Sequence, residues 1–235
     1  MTLDTRFWKK YFNQYDVLNK LIPYDELLDR IVQLADVKNG YRILDAGSGT
    51  GNLSSRFKGD NLLITGIDYS MEGISLHKQK QPNAVLIQHD LTKPLPFAEN
   101  SFDLIVSNNV LYTISRNVRG YIFREFYRVL KPGGTIVIAN LSDNFNPKNI
   151  YISHVKSYIK KYGFFKLVIH LLSLAIPTIK IFYYNYLINK ENRSGQYDFF
   201  GPDEQLENLR EVGFVNVFPT EFLYAGQSVL NKAIK

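Results

Sequence analysis

The stretch ILDAGSGTGN, residues 43–52, decides the fold of this 235-residue chain. A short apolar run leads into three glycines at alternate positions, Gly47, Gly49 and Gly51. An apolar run that ends in glycines is typical of a buried strand, and glycines allow a ligand to approach the backbone closely. The stretch therefore predicts a ligand-binding turn at the end of a strand, and it leaves open which ligand is held.

Four later segments repeat the pattern of a short apolar run, and helical patterns separate several of them. The segments are LLITGIDYS, AVLIQHD, SFDLIVSNN and GGTIVIAN. Strands that alternate with helices predict an α/β fold with a parallel sheet and right-handed crossovers. Residues 1–40 are predicted to be helical with a stop at Gly40. The last residues read as two strands joined around Pro219, and a connection this short requires an antiparallel pair.

Polar residues stand where the predicted strands end. Asp45, Asp68, Asp90 and Asn108 all occupy such positions, and ligands of open α/β sheets bind outside these strand ends. Asp68 follows Gly47 by 21 residues, a spacing suited to a carboxylate that holds ribose hydroxyls. The turn lacks the lysine-containing pattern of a triphosphate-binding loop. These positions predict a nucleoside ligand.

Four segments in order resemble the motifs of class I S-adenosylmethionine-dependent methyltransferases. They are ILDAGSGTG, GIDYS, HDLTKPLPFAENSFDLIVSNNVLY and VLKPGGTIVIAN. The resemblance covers residues 40–140 closely, and the terminal hairpin also fits. It implies a Rossmann-like, doubly wound, seven-stranded, mainly parallel sheet, with S-adenosylmethionine as the cofactor. It divides the chain into a helical cap at 1–40, a cofactor-binding domain at 41–140 and 202–235, and an insertion at 141–201.

The resemblance also implies cofactor-binding residues. Asp45 would hold the methionyl amino group, Asp68 the ribose hydroxyls and Asp90 the adenine amine, although Asp90 could instead cap a turn. The rest of the set would line the cofactor or let the backbone approach it: Gly47, Ser48, Gly49, Gly51, Tyr69, Leu91 and Asn108. In many small-molecule members an N-terminal helix covers the cofactor, which adds Tyr11 and Tyr15; a helix packed on the sheet is the alternative.

Methyl transfer asks little of side chains, because the sulfonium carbon of the cofactor is already electrophilic. The protein must align the nucleophile with the methyl group and exclude water. A base is needed only if the acceptor loses a proton, and the residues that could serve are Tyr112 and His154. Both also have non-catalytic interpretations: Tyr112 could simply line the pocket, and His154 could be structural or solvated.

The composition narrows the choice of function. The chain has no cysteine, which excludes disulfides, thiolate zinc ligands and a cysteine nucleophile, and we predict no metal site. Its beginning lacks the pattern of a signal peptide, so a cytoplasmic location is expected. Its net charge is +6, and residues 141–201 carry eight basic and three acidic residues, nearly all of the excess.

The insertion at 141–201 is too long for a plain connection, and it is predicted to be a helical lid over the substrate. It is rich in aromatic residues, and Lys166, His170, Pro177 and Lys180 interrupt its apolar run at 164–188, which argues against a membrane span. A helical cap packed on the sheet is the alternative. Shallow contact with an anionic membrane surface would also suit it.

The lid predicts a small, hydrophobic or aromatic methyl acceptor such as a quinone, a polyketide-like molecule or a lipid. Nucleic acid is disfavoured, because the basic residues are spread through an apolar segment and are not clustered along a groove. An RNA methyltransferase and a non-catalytic cofactor-binding module remain as alternatives. Salt-dependent RNA binding would indicate the first, and cofactor affinity without turnover the second.

Overall fold

The computed structural model describes Lys10, residues 16–193 and residues 198–235. Its strands are β1 Arg42–Ala46, β2 Leu63–Asp68, β3 Val85–Gln88, β4 Phe102–Asn108, β5 Leu130–Leu141, β6 Asn216–Val217, β7 Glu221–Leu223 and β8 Ser228–Ile234. Its α-helices are α1 Ile22–Ala35, α2 Met71–Lys80, α3 Arg116–Val129, α4 Pro147–Tyr162, α5 Phe164–Arg193 and α6 Glu204–Val212. A short 3₁₀ helix, Asp16–Lys20, precedes α1.

The strands form one sheet in the order β3-β2-β1-β4-β5-β8-β6, with β7 also paired to β8. Strands β1 to β5 are parallel, and β1 lies between β2 and β4, so that Leu44 pairs with Thr65 and Ile105. Ile43, Leu44 and Ile105 are fully buried, as parallel strands covered on both faces require. The Rossmann-like prediction is confirmed, and the strand order reverses between β1 and β4, where ligands bind.

The C-terminal antiparallel hairpin is confirmed, but its turn is not at Pro219. Strands β6 and β7 both pair with β8, and the tight turn lies at residues 224–227. Proline has no N–H to donate, so Pro219 splits one strand into two pieces, and the described residues form an eight-stranded sheet where seven strands were predicted. Tyr224, Ala225 and Gly226 make the turn, each with a positive φ.

Helix α1 ends earlier than the glycine signal predicts. Asp36 is its C-terminal cap and adopts the left-handed conformation, with φ 44°. Gly40 lies in the following turn, where its N–H donates to the Asp60 carbonyl. The stop at Gly40 was therefore wrong, because a short polar residue such as aspartate can adopt the left-handed conformation in place of glycine.

The insertion leaves the sheet after β5 and returns to it before α6. Ser142 and Phe200 form a parallel bridge, and the N–H of Phe200 donates to the Leu141 carbonyl. The fully buried Arg119 of α3 fixes this return, because it contacts the Glu204 carboxylate at 2.6 Å and lies 3.8 Å above the Phe200 ring. Among the residues that the structure describes, no helix is long and apolar enough to cross a membrane.

Candidate active site

A cavity of about 470 Å³ lies along the edge where the parallel strands end. Its lining divides into two groups, which we name by their chemistry. The polar half follows strands β3, β2, β1 and β4 and contains Asp90, Asp68, the glycine turn at 47–50, Asp45, Asn108 and Asn109. The aromatic half combines residues of the 3₁₀ helix, of α1, of the segment after β4, of β5 and the segment that follows it, and of the turn before β8. It contains Leu18, Tyr24, Tyr112, Leu141, Phe145 and Tyr224.

The glycine turn is held against the neighbouring strand. The N–H groups of Gly47 and Ser48 both donate to the carbonyl of Ile67, at 2.8 and 2.9 Å. Gly47 has φ +76°, and a Cβ atom there would lie 2.2 Å from the Val110 side chain. Only glycine satisfies both the backbone conformation and this close approach, so the sequence at this turn is fixed by sterics.

Asp68 ties the glycine turn to the start of α2. One carboxylate oxygen accepts from the N–H of Gly49 and the other from the N–H of Ser70, each at 2.8 Å. Burial raises the pKa of Asp68, and the two backbone hydrogen bonds oppose that rise. Each oxygen can accept a further hydrogen bond, so the carboxylate can hold paired hydroxyl groups in the cavity.

Asp45 presents an acceptor that nothing in the described residues satisfies. Its Oδ2 is buried without a hydrogen-bond partner, and the same is true of Oδ1 of Asn108 and Asn109. Burial raises the pKa of Asp45 to about 7; a hydrogen bond with Ser54 opposes the rise and the charge of Asp68 adds to it. Buried acceptors without partners are costly, so these three oxygens can accept hydrogen bonds from a donor group of a ligand.

The end of the cavity beside β3 contains Asp90, Leu91 and Tyr69. Asp90 Oδ1 accepts from the N–H and the hydroxyl of Thr92, at 2.9 and 2.8 Å, so the turn-capping interpretation is realised at one of its two oxygens. Tyr69 lines the cavity with an exposed ring, and Leu91 is buried. Together they line this end of the cavity with an aromatic ring, an apolar side chain and a carboxylate.

Two predicted residues lie away from this cavity and two lie outside the described residues. Gly51 does not line it; a Cβ atom there would meet the His77 ring at 2.3 Å. His154 is fully buried between helices, where its Nδ1 accepts from the N–H of Ile22, and burial lowers its pKa to about 4. Tyr11 and Tyr15 belong to the residues that the structure does not describe.

The comparisons with known proteins agree with this geometry. Residues 44–138 match the family model of a methyltransferase domain. A demethylmenaquinone methyltransferase of Staphylococcus aureus is 28% identical over 224 residues, 90% of this chain and 85% of that protein. That of Paenarthrobacter aurescens is 32% identical over 152 residues, 60% of this chain and 57% of that protein. These matches support a class I S-adenosylmethionine-dependent methyltransferase.

The fold of this methyltransferase is shared with a solved cofactor complex. Haemonchus contortus phosphoethanolamine N-methyltransferase 2, in complex with S-adenosyl-L-methionine, superposes with a TM-score of 0.64 at 16% identity. The alignment covers 99% of this chain and 58% of that one, and at this identity it shows the fold alone. The enzyme is a methyltransferase that uses S-adenosylmethionine.

His77 supports the glycine turn, a contact that its sequence context does not indicate. The buried ring lies 3.1 Å from the Ser48 hydroxyl and 3.1 Å from the Ser54 hydroxyl, and its Nε2 is 2.7 Å from Gln81 Oε1. Burial lowers the pKa of His77, so the ring is neutral. It stabilises the turn through its contacts with the two serine hydroxyls. Gly51 is required because this ring occupies the space of a side chain.

The aromatic half of the methyltransferase cavity was also largely missed. Only Tyr112 was singled out, whereas Tyr24, Phe145 and Tyr224 come from three distant segments. The Tyr24 and Tyr224 rings are 5.6 Å apart, and Asn108 Nδ2 is 3.4 Å from the Tyr24 hydroxyl. A turn signal at Ala225 and Gly226, directly after a strand, was the clue that could have found Tyr224.

Proposed function

We propose that this methyltransferase acts on a small hydrophobic or aromatic acceptor, and that a quinone-type ring is the first class to test. The aromatic half of the cavity carries the proposal. Tyr24, Tyr112, Phe145 and Tyr224 form a wall of rings beside the polar half, and such walls suit flat apolar ligands. The names of the two relatives, demethylmenaquinone methyltransferases, support the same class.

We propose that the polar half holds the cofactor as the family pattern implies. Asp45 and Asn108 offer buried acceptors suited to the methionyl ammonium, and Asp68 offers its carboxylate to the ribose hydroxyls. Asp90 Oδ2, Leu91 and Tyr69 form the slot for the adenine. When bound, S-adenosylmethionine supplies an electrophilic methyl group on a sulfonium.

The residues of this chain then act by alignment and by exclusion of water. The aromatic half borders Asn108 and Asn109 along the same edge, so an acceptor bound there would lie next to the methionyl end. Burial raises the pKa of the Tyr224 hydroxyl, so that group stays neutral and serves as a wall rather than as a base. An acceptor that has already lost its proton to solvent needs only in-line alignment in a water-poor cavity, without a dedicated side-chain base.

The test is methyl transfer from radiolabelled S-adenosylmethionine to a panel of acceptors. The panel contains demethylmenaquinol in detergent micelles, a polyketide-like phenol, a phosphatidylethanolamine and total RNA. We expect label in the hydrophobic ring compounds, with demethylmenaquinol the best acceptor by kcat/KM. Label in RNA alone, or cofactor binding without transfer to any acceptor, would overturn the proposal.

A matched pair of phenylalanine variants assigns the acceptor to the aromatic half. Phe145→Leu removes a ring from this wall, and we expect acceptor KM to rise by about tenfold while the Kd of S-adenosylmethionine is unchanged. Phe222→Leu changes an exposed phenylalanine outside the cavity and should alter neither value. Equal effects of the two variants would argue against an acceptor site at Phe145.

A further inference from the structure

The insertion exposes a stripe of described apolar side chains along one side of α5. The side chains of Phe165, Ile169 and Leu172 continue as Ile179, Tyr183 and Tyr186, and all six are exposed. Their successive spacings of four, three, seven, four and three residues keep them on one side of a helix. Phe165 is 86% and Leu172 74% exposed, so the α5 stripe faces away from the described protein core.

The other side of α5 already has its contacts. Leu167 is buried, and Tyr184 packs against the hydrophobic core. A helix that is apolar on both sides is typical of one that is covered on both sides. Single exposed apolar residues are common, but a contiguous apolar surface marks an interaction site, and the described part of the chain does not cover this one.

The charge around the α5 stripe indicates the chemistry of its partner. Residues 147–190 contain seven lysines and no aspartate or glutamate. All seven are exposed: Lys148, Lys156, Lys160, Lys161, Lys166, Lys180 and Lys190. Apolar side chains flanked by lysines are the pattern of a helix that lies in the headgroup region of an anionic bilayer.

We propose that α4 and α5 bind the surface of a bilayer containing anionic lipids, with the α5 stripe inserted among the headgroups. A second copy of the chain fits the surface less well. Lys166 and Lys180 border the stripe, so two paired α5 helices would bring like charges together, whereas helix pairs are stabilised by opposite charges beside the seam. An RNA partner would account for the lysines but not for the exposed apolar side chains of the α5 stripe.

The position of the surface relative to the cavity fits this partner. None of the described residues of α4 and α5 lines the cavity, so their exposed apolar side chains are not needed to enclose the ligand. Helix α4 instead packs beside α1, where His154 accepts from the N–H of Ile22, and α1 carries Tyr24 of the aromatic half. The proposal does not depend on the identity of the methyl acceptor, since membrane binding is measured without one.

The experiment is co-sedimentation of the full chain with vesicles. One set contains phosphatidylglycerol and phosphatidylcholine in equal amounts, and the other contains phosphatidylcholine alone. We expect binding to the anionic vesicles, at least about tenfold weaker binding to the neutral ones, and a loss of binding as salt is added. Equal binding to both sets, or binding to neither, would overturn the proposal.

Two variants separate the contributions of the stripe and the lysines. The triple variant Phe165→Ser, Ile169→Ser and Leu172→Ser should lower the vesicle partition coefficient by about tenfold or more. The triple variant Lys160→Gln, Lys161→Gln and Lys166→Gln should lower it by on the order of 100-fold on anionic vesicles only. Both should keep the wild-type Tm and cofactor Kd, because the altered side chains are exposed and outside the cavity.

A matched control removes exposed apolar side chains from another part of the surface. Leu63→Ser, Val85→Ser and Val215→Ser together remove three exposed apolar side chains from the sheet region and should leave vesicle binding unchanged. The proposal is overturned if this control lowers binding as much as the stripe variant does. It is also overturned if the wild type is a dimer that only the stripe variant dissociates, or if RNA is bound and vesicles are not.

Discussion

The two halves of the cavity are built in different ways. The polar half comes from residues 45–109, where four consecutive parallel strands end side by side, and backbone hydrogen bonds hold its shape. The aromatic half combines side chains from α1, the segment after β4, the segment after β5 and the β7–β8 turn. Local geometry therefore sets the polar half, which is the proposed donor end, whereas tertiary packing of distant segments sets the aromatic half, which is the proposed acceptor end.

The difference is also electrostatic. The polar half buries carboxylates, and burial raises the pKa of both Asp45 and Asp68. Such groups are poised for a cationic, hydroxyl-bearing ligand that satisfies them. The aromatic half presents rings and few charges, so its selectivity comes from shape and apolar contact. The donor end thus fixes one ligand closely, while the acceptor end can change by substitution of single rings.

The largest expected effect is a steric one at the donor end. Gly47→Ala adds a Cβ atom 2.2 Å from Val110 on a backbone with positive φ, so the turn must shift. We expect the Kd of S-adenosylmethionine to rise on the order of 100-fold, as measured by isothermal titration calorimetry. The predicted loss follows from displacement of the N–H groups and the carboxylates that face the ligand.

Gly133→Ala is the matched control for Gly47→Ala. Gly133 has almost the same φ, +75°, but no atom lies within 4 Å of an added Cβ. Its substitution costs about 1 kcal/mol of backbone strain and should not change cofactor affinity. Similar cofactor Kd values for the two variants would show that the close approach at Val110 does not shape the site.

The second effect is a pH dependence of cofactor binding that originates at Asp45. The pKa of Asp45 is raised to about 7 by burial, so the carboxyl group is protonated below that pH and loses its attraction for an ammonium group. We expect the affinity for S-adenosylmethionine to fall by about tenfold per pH unit below 7. The Asp45→Asn variant should bind more weakly at pH 8 and show no such slope.

The same raised pKa affects the stability of the cofactor-free fold. The folded state binds the Asp45 proton more tightly than the unfolded chain, whose aspartates titrate at a pKa of about 3.9. This contribution is therefore fully present below about pH 4 and is lost as the pH rises through about 7. Thermal unfolding of the wild type and Asp45→Asn between these pH values measures it; parallel profiles would contradict the assignment.

The sequence predicted the five parallel strands and the strand-end polar residues because both depend on local pattern. Apolar runs of four to eight residues with a following glycine, acid or asparagine recur at each strand, and parallel strands must end at one edge. Asp45, Asp68, Asp90 and Asn108 were placed together on this ground, and all four line the cavity. The signal was strong because the strand, the turn and the polar residue are contiguous in the sequence.

Features set by competition between local signals or by tertiary contact were not predictable. Pro219 is a strong turn signal, yet the left-handed residues Tyr224 and Ala225 made the actual turn. In the sequence Gly51 resembles the other glycines of its turn. Glycine is required there because the ring of His77, 26 residues away, occupies the space of a side chain. In the sequence, the aromatic residues of the acceptor end have the same pattern as core residues, and only the folded structure shows that they line one cavity.

A smaller effect at the donor end is expected from His77. The His77→Leu variant keeps the bulk beneath the turn but removes the contacts to the Ser48 and Ser54 hydroxyls. Loss of buried hydrogen bonds of this kind costs about 1–2 kcal/mol, and we expect the cofactor Kd to rise by about tenfold. The KM for the acceptor should not change, and a change in KM alone would show that His77 does not act through the turn.

The smallest effect is expected at the acceptor end, from removal of a single hydroxyl. Tyr112→Phe leaves the ring in place beside Phe199, and Tyr224→Phe is the matched control in the same wall. If the protein acts by alignment alone, both variants should lower kcat by less than about threefold, since a side-chain base would contribute about 100-fold or more. A loss on that larger scale in Tyr112→Phe only would assign the acceptor proton to Tyr112, and the two ends of the cavity would then differ in chemistry as well as in construction.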